Sequence, residues 1–226
     1  MLISGFDKVT LLNYPGLVAC TIFTKGCNLK CPFCHNSSLI SGNDDTYIDE
    51  DEIFKYLNKR KNIIEGVCIS GGEPLLQKDI KEFIRKIKSL GLKVKLDTNG
   101  TNPDLILSLI NDNLLDYIAM DIKNIKSKYE LTSGAKVKIE NILKSINIIE
   151  NSGIDYEFRT TIIKEFHTLS DIDYISKKLD KKSKYYIQNF VKSDAVLDKN
   201  LHSFTSDELK EMKQILNNEN IIFRDL

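Results

Sequence analysis

The chain of 226 residues has no excess of either charge: Lys+Arg and Asp+Glu number 32 each. Such a balance gives no global field to attract nucleic acid or an anionic membrane, so neither is expected as a partner. No apolar run reaches the roughly 20 residues that span a bilayer. The opening MLISGFDKVTLLNYPG lacks a long apolar core and a cleavage-site pattern, so a cytoplasmic protein is expected. No linker, repeat or low-complexity stretch breaks the chain, and a single domain over residues 1–226 is expected. Cysteine is scarce too. There are five, an odd number that does not suit a framework of paired disulfides.

Three of the five crowd into Cys27-Asn-Leu-Lys-Cys31-Pro-Phe-Cys34. Cys20 and Cys68 lie inside the apolar segments Val18–Phe23 and Val67–Ile69 and read as small buried hydrophobes. A structural zinc site would want a fourth ligand at finger-like spacing, from a second Cys or His pair. None is present: His35 adjoins Cys34, while His167 and His202 stand alone and read as surface histidines. A cubane 4Fe-4S cluster has four iron corners, so three thiolates leave one iron without a protein ligand. An open metal position is where a small molecule can bind and react.

Apolar runs predict strands at Leu17–Thr24, Gly66–Ser70, Leu92–Thr98, Asp116–Ile122, Ile154–Ile162 and Lys184–Phe190. Helical spacing appears at Ile80, Phe83, Ile84, Ile87 and Leu90, closed by Gly91. It recurs at Ile139, Ile142, Leu143, Ile146 and Ile149, closed by Gly153. A last helix carries Leu209, Met212, Ile215 and Leu216 and opens on Thr205-Ser-Asp-Glu208, a capping-box pattern. Units of roughly 30–35 residues are the size of a βαβ unit. The fold class is therefore α/β with parallel strands, as an open doubly wound sheet or a barrel of six units. Ser41–Thr46 and Val191–Ser203 read as the mobile loops.

Either fold places chemistry at the C-terminal ends of the strands. The cysteine loop follows the first strand, Gly71-Gly-Glu-Pro74 the second and Asp97-Thr-Asn-Gly100 ends the third. Asp121-Ile-Lys123 ends the fourth, and Arg159 sits within the fifth, where a charge needs a cavity or a partner. Taken singly, each has an ordinary reading: a strand-to-helix turn for GGEP, turn formers for Asp97 and Asp121, a solvated lysine for Lys123. Lys123, two residues beyond Asp121, falls on the same strand face.

The spacing of Cys27, Cys31 and Cys34, with the aromatic Phe33 before the last, resembles the signature of the radical S-adenosylmethionine enzymes. The segments Asp7–Gly16, Thr24–Asn28 and Cys34-His-Asn36 are similar to those of the glycyl-radical-enzyme activases. Among these the likeness is best to anaerobic ribonucleoside-triphosphate reductase activating proteins. It runs over nearly the whole chain and implies a partial (β/α)6 barrel of the radical SAM type.

The resemblance implies that S-adenosyl-L-methionine chelates the fourth iron through its amino and carboxylate groups. One electron then cleaves it to methionine and a 5′-deoxyadenosyl radical, which takes a glycine hydrogen from a glycyl radical enzyme. An anaerobic ribonucleotide reductase is the implied target, and a flavodoxin or ferredoxin the electron donor. Gly72 and Glu73 match the methionine-binding turn; Asp97 and Asp121 match aspartates that help hold a monovalent cation beside the cofactor carboxylate. Lys123 falls where it would meet that carboxylate or the ribose, and Arg159 matches an arginine near the cofactor. Phe33 and His35 match positions that contact adenine, and Gln188, Asn189 and Phe190 match the adenine pocket loosely. Two other enzyme readings keep the same cofactor: activation of a pyruvate formate-lyase type of enzyme, or a small-molecule reaction such as deazapurine formation. A non-catalytic zinc or electron-transfer module would leave the GGEP, DTNG and DIK segments without a joint explanation.

Overall fold

A computed structural model describes residues 1–41, 47–216 and 218–224, so the loop expected at Ser41–Thr46 lies, after Ser41, outside the described residues. Eight strands form one sheet in chain order: β1 (Ile3–Thr10), β2 (Ala19–Thr24), β3 (Gly66–Gly71), β4 (Lys93–Thr98), β5 (Tyr117–Asp121), β6 (Asp155–Ile162), β7 (Tyr185–Asn189) and β8 (Ile221–Phe223). The helices are α1 (Ser37–Ser41), α2 (Glu50–Arg60), α3 (Ile80–Ser89), α4 (Pro103–Asn111), α5 (Tyr129–Ser133), α6 (Ile139–Glu150), α7 (Leu169–Ser176) and α8 (Ser206–Leu216).

The six predicted strands are β2 to β7, each within two residues of its expected ends. They pair in parallel, and β8 extends the parallel set. Strands adjacent in sequence are adjacent in space throughout, with no reversal of order. Right-handed crossovers then carry the helices to one face, so the sheet curls into a partial barrel. The doubly wound alternative is excluded, because it needs a switch point where strand order reverses. β1 was not expected; it adds to the edge antiparallel to β2.

β2 is buried on both faces, the pattern of a strand between helices and a filled barrel interior. In α3 the predicted stripe Ile80, Phe83, Ile84 and Ile87 is buried against the sheet. Burying each such side chain contributes roughly 1.5–3 kcal/mol. Gly91 follows in the left-handed region at φ 78°, which closes the helix as expected. The capping box of α8 forms: Thr205 Oγ1 accepts from Glu208 N–H, and Glu208 Oε2 accepts from Thr205 N–H. The α6 stripe is narrower than expected, because Leu143 is exposed while Ile142 and Ile149 are buried.

The segment 191–203 is not a loose loop. Val196 and Leu201 are buried with Leu29, Cys31 and Phe33, and Asp198 N–H donates to Pro32 O at 2.9 Å. Ser37 Oγ donates to Ala195 O as well. This apolar packing was hidden in a segment with no periodicity; it clamps the cysteine loop from outside.

Candidate functional site

A cavity of about 270 Å³ opens at the C-terminal ends of the parallel strands. Cys27, Cys31, Cys34, Phe33, His35, Gly72, Asp97, Asp121, Lys123 and Arg159 all line it. The remaining candidate, Glu73, does not. Ser70, Asn99, Thr161 and Gln188 line it as well; of these the sequence matched Gln188 loosely and held Asn99 within the DTNG segment without a role of its own.

The cysteine loop is held from two sides. Gly72 N–H donates to Thr24 O at 2.9 Å and Glu73 N–H to Gly26 O at 2.8 Å. A Cβ on Gly72 would lie 2.0 Å from Gly26 O, so only glycine lets the second turn approach the first this closely. Opposite, Lys30 N–H donates to Ser133 O at 2.9 Å, and a Cβ on Gly134 would meet Lys30 O at 2.1 Å. Gly134 caps α5 in the left-handed region at φ 65°.

All five cysteines are free thiols; Cys20 and Cys68 are fully buried and outside the cavity lining, as expected of them. Burial pushes the Cys27 thiol up to about 11, and raises Cys31 and Cys34 too, with the Lys123 ammonium opposing it at all three. Metal binding at these sulfurs therefore displaces protons.

Behind the thiols, the barrel interior is a charged network. Arg159 Nε donates to Asp121 Oδ1 at 2.8 Å, and its Nη1 reaches Asp97 Oδ2 at 3.4 Å. Lys123 Nζ donates to Asp121 Oδ2 at 3.0 Å. Buried Lys95 donates to Asp97 Oδ1 at 2.5 Å, and Ser70 Oγ to Oδ2 at 3.0 Å. Burial alone would raise both carboxyls, but Arg159 with Lys123 holds Asp121 well below the usual carboxylate range, and Arg159 with Lys95 lowers Asp97. Arg159 Nη1 also lies 3.8 Å from the buried Glu157 carboxylate, which Arg224 meets at 2.8 Å, so the network extends to a third carboxylate. Of these cations Lys123 and Arg159 line the cavity, where they suit a ligand carboxylate.

Glu73 turns away from this cavity. It is 1% exposed, and its carboxylate accepts from Thr98 Oγ1 (2.8 Å), Asn99 N–H (2.7 Å) and Leu75 N–H (3.2 Å). It ties the GGEP turn to the DTNG turn. Burial outweighs these donors and pushes its carboxyl up to about 7.

His167 corrects a second expectation. It is buried, not on the surface. Ile163 N–H donates to its Nδ1 at 3.2 Å, so the proton sits on Nε2, 2.8 Å from Lys123 O. Burial lowers its pKa, which keeps this tautomer neutral. His202 is exposed as expected and pairs with Glu165. His35 stacks on Phe190 at 5.7 Å, and Lys123 Nζ lies 5.9 Å from the Phe33 ring centroid.

No three Cys, His, Asp or Glu side chains among the described residues come together as they would around one metal ion. Three free thiols nevertheless share a single cavity wall. Three thiols are the donor type that holds an iron–sulfur cluster, so the residues present fit that group. No helix among the described residues is long and apolar enough to cross a membrane.

Comparison with known proteins agrees with the site. Over its full length the chain is 34% identical to a Methanocaldococcus jannaschii protein provisionally named a glycyl-radical enzyme activating enzyme, covering 96% of it. It is 27% identical to the pyruvate formate-lyase-activating enzyme of Clostridium pasteurianum, over 78% of this chain and 74% of that one. The fold superposes on Streptococcus suis SuiB bound to its precursor peptide with a TM-score of 0.72 at 17% identity, over 90% of this chain and 48% of SuiB. Residues 21–175 match the model of the Radical SAM superfamily. The chain belongs to the radical SAM superfamily, whose members use a 4Fe-4S cluster and S-adenosylmethionine.

Proposed function

We propose that this radical SAM enzyme is a glycyl-radical-enzyme activase whose target is an anaerobic ribonucleotide reductase. The observation that carries the activase reading is the end-to-end likeness to a protein provisionally named a glycyl-radical enzyme activating enzyme, a name that gives no target. The sequence motifs similar to the reductase activases narrow the target. When bound, the cluster and S-adenosylmethionine supply a 5′-deoxyadenosyl radical that can take a hydrogen atom from glycine.

The protein's own part is to bind, orient and shield. Cys27, Cys31 and Cys34 hold three corners of the cluster. Gly72 brings backbone close to the methionine end of the cofactor, and Lys123 and Arg159 present positive charge to its carboxylate. Asp97 and Asp121 keep those cations in place, while Glu73 braces the turn from behind. Phe33 and His35 offer aromatic faces to the adenine. A flavodoxin or ferredoxin would supply the electron.

The test is anaerobic co-incubation with a candidate target, S-adenosylmethionine and a reductant, followed by electron paramagnetic resonance. A stable glycyl radical on an anaerobic ribonucleotide reductase is expected. A radical formed on a formate-lyase-type enzyme and not on the reductase would move the target to the class of the Clostridium relative. Cofactor cleavage with no radical on either would point to a small-molecule substrate.

A further inference from the structure

Asn99 lines the cavity and is only 6% exposed. Its side-chain amide is fixed in one orientation. Oδ1 accepts from Thr101 N–H at 3.1 Å and from Thr101 Oγ1 at 2.7 Å, so the amide nitrogen must occupy the other side. There Nδ2 lies 2.8 Å from Asn28 Oδ1 and 4.0 Å from Cys27 Sγ. The two hydrogens of a planar amide point about 120° apart, so one can serve Asn28 while the other faces the sulfur. Its backbone is pinned as well, since Asn99 N–H donates to the buried Glu73 carboxylate at 2.7 Å.

Cys27 Sγ also accepts from Leu29 N–H at 3.4 Å. A sulfur with N–H donors aimed at it carries negative charge more easily, and hydrogen bonds to cluster sulfurs are one determinant of reduction potential. Four hydrogen bonds, two from Thr101 and one each to Asn28 and Glu73, hold the Asn99 side chain and backbone. The orientation is set in advance and costs nothing when charge arrives.

We infer that Asn99 is a positioning residue that acts through Cys27: its Nδ2–H stabilises the reduced state of the cluster and raises the cluster's midpoint potential. The inference rests on the assignment of Cys27 as a cluster ligand. Asn28, which takes the second amide hydrogen, and Thr101, which fixes the oxygen, serve the same end.

The experiment is a potentiometric titration of the anaerobically reconstituted protein, without S-adenosylmethionine, followed by electron paramagnetic resonance. Asn99→Leu removes the donor at similar volume. Asn99→Asp removes it while keeping the oxygen that Thr101 binds and the backbone link to Glu73. Both variants should take up iron as the parent does and have lower midpoint potentials. A charge-assisted donor of this kind is expected to shift the reduced-to-oxidised ratio at fixed potential about tenfold, equivalent to about 59 mV for one electron. Asn99→Leu adds no charge, so a fall in both variants assigns the effect to the lost donor. An unchanged potential in Asn99→Leu with iron content intact overturns the inference. Failure of both variants to assemble a cluster also overturns it, because Asn99 would then be a structural brace. If the parent protein itself assembles no cluster, the ligand assignment fails, and that result is read from the parent alone.

Discussion

Arg159 Nε lies 2.8 Å from Asp121 Oδ1, and this pair spans the parallel strands β5 and β6 at the height of the cavity floor. The same guanidinium reaches Asp97 on β4, so one side chain links three strands through their charges. Removing one partner of a buried ion pair leaves the other uncompensated, which typically costs about 3–5 kcal/mol. Arg159→Ala should lower unfolding free energy by about that amount in denaturant titrations. Arg159→Lys should recover part of it, since it restores charge but not the fork.

Replacing Cys27, Cys31 or Cys34 by Ala should each abolish cluster assembly in a chain that still folds, because the loop is held by backbone bonds to Gly72, Glu73 and Ser133. Iron analysis with far-UV circular dichroism reads both quantities. Cys20→Ala and Cys68→Ala should keep iron and lose about 1 kcal/mol of stability. Loss of iron in Cys68→Ala would refute the ligand assignment.

Lys123→Ala should weaken S-adenosylmethionine binding about tenfold or more while leaving iron content unchanged, the worth of a charge-assisted hydrogen bond. Equilibrium binding on the reconstituted protein checks it. Unchanged affinity would remove Lys123 from the cofactor site.

The Glu73 carboxyl, raised from 4.5 to about 7 by burial, gives a pH signature. An acid whose folded pKa is raised contributes stability that is fully present below its unfolded value and is lost as pH climbs through the folded one. Relative to Glu73→Gln, the parent should therefore lose about 3 kcal/mol between roughly pH 4 and pH 8. Denaturant midpoints of both proteins across that range give the difference. The comparison concerns the slope, since the amide also loses one acceptor. A parallel slope would show that Glu73 ionises normally.

The parallel strands were legible because burial on both faces writes them as apolar runs, as in Val67–Ile69 of β3. β1 was not: at the sheet edge its residues are mostly half-buried or exposed, so Ile3–Thr10 carries no such run. β8 has three residues, too few for any period. The cavity was largely readable because its residues fall at strand ends. Glu73 was misplaced because adjacent residues point opposite ways in extended chain, and the donors that draw its carboxylate inward come from Thr98 and Asn99. His167 was missed for a related reason, its partner Lys123 O being 44 positions away in the chain. Asn99 stood in a motif already noticed, but an asparagine in a turn ordinarily bonds its own backbone, and nothing local shows that its nitrogen faces a sulfur.

The most direct test of the central claim is a single anaerobic measurement on the reconstituted, reduced protein with and without S-adenosylmethionine. The claim is that Cys27, Cys31 and Cys34 hold a cluster with one corner free for that cofactor. The account predicts that adding the cofactor changes the paramagnetic resonance spectrum of the cluster and that methionine and 5′-deoxyadenosine then form in equal amounts. A spectrum indifferent to the cofactor, with neither product under strong reductant, would contradict it.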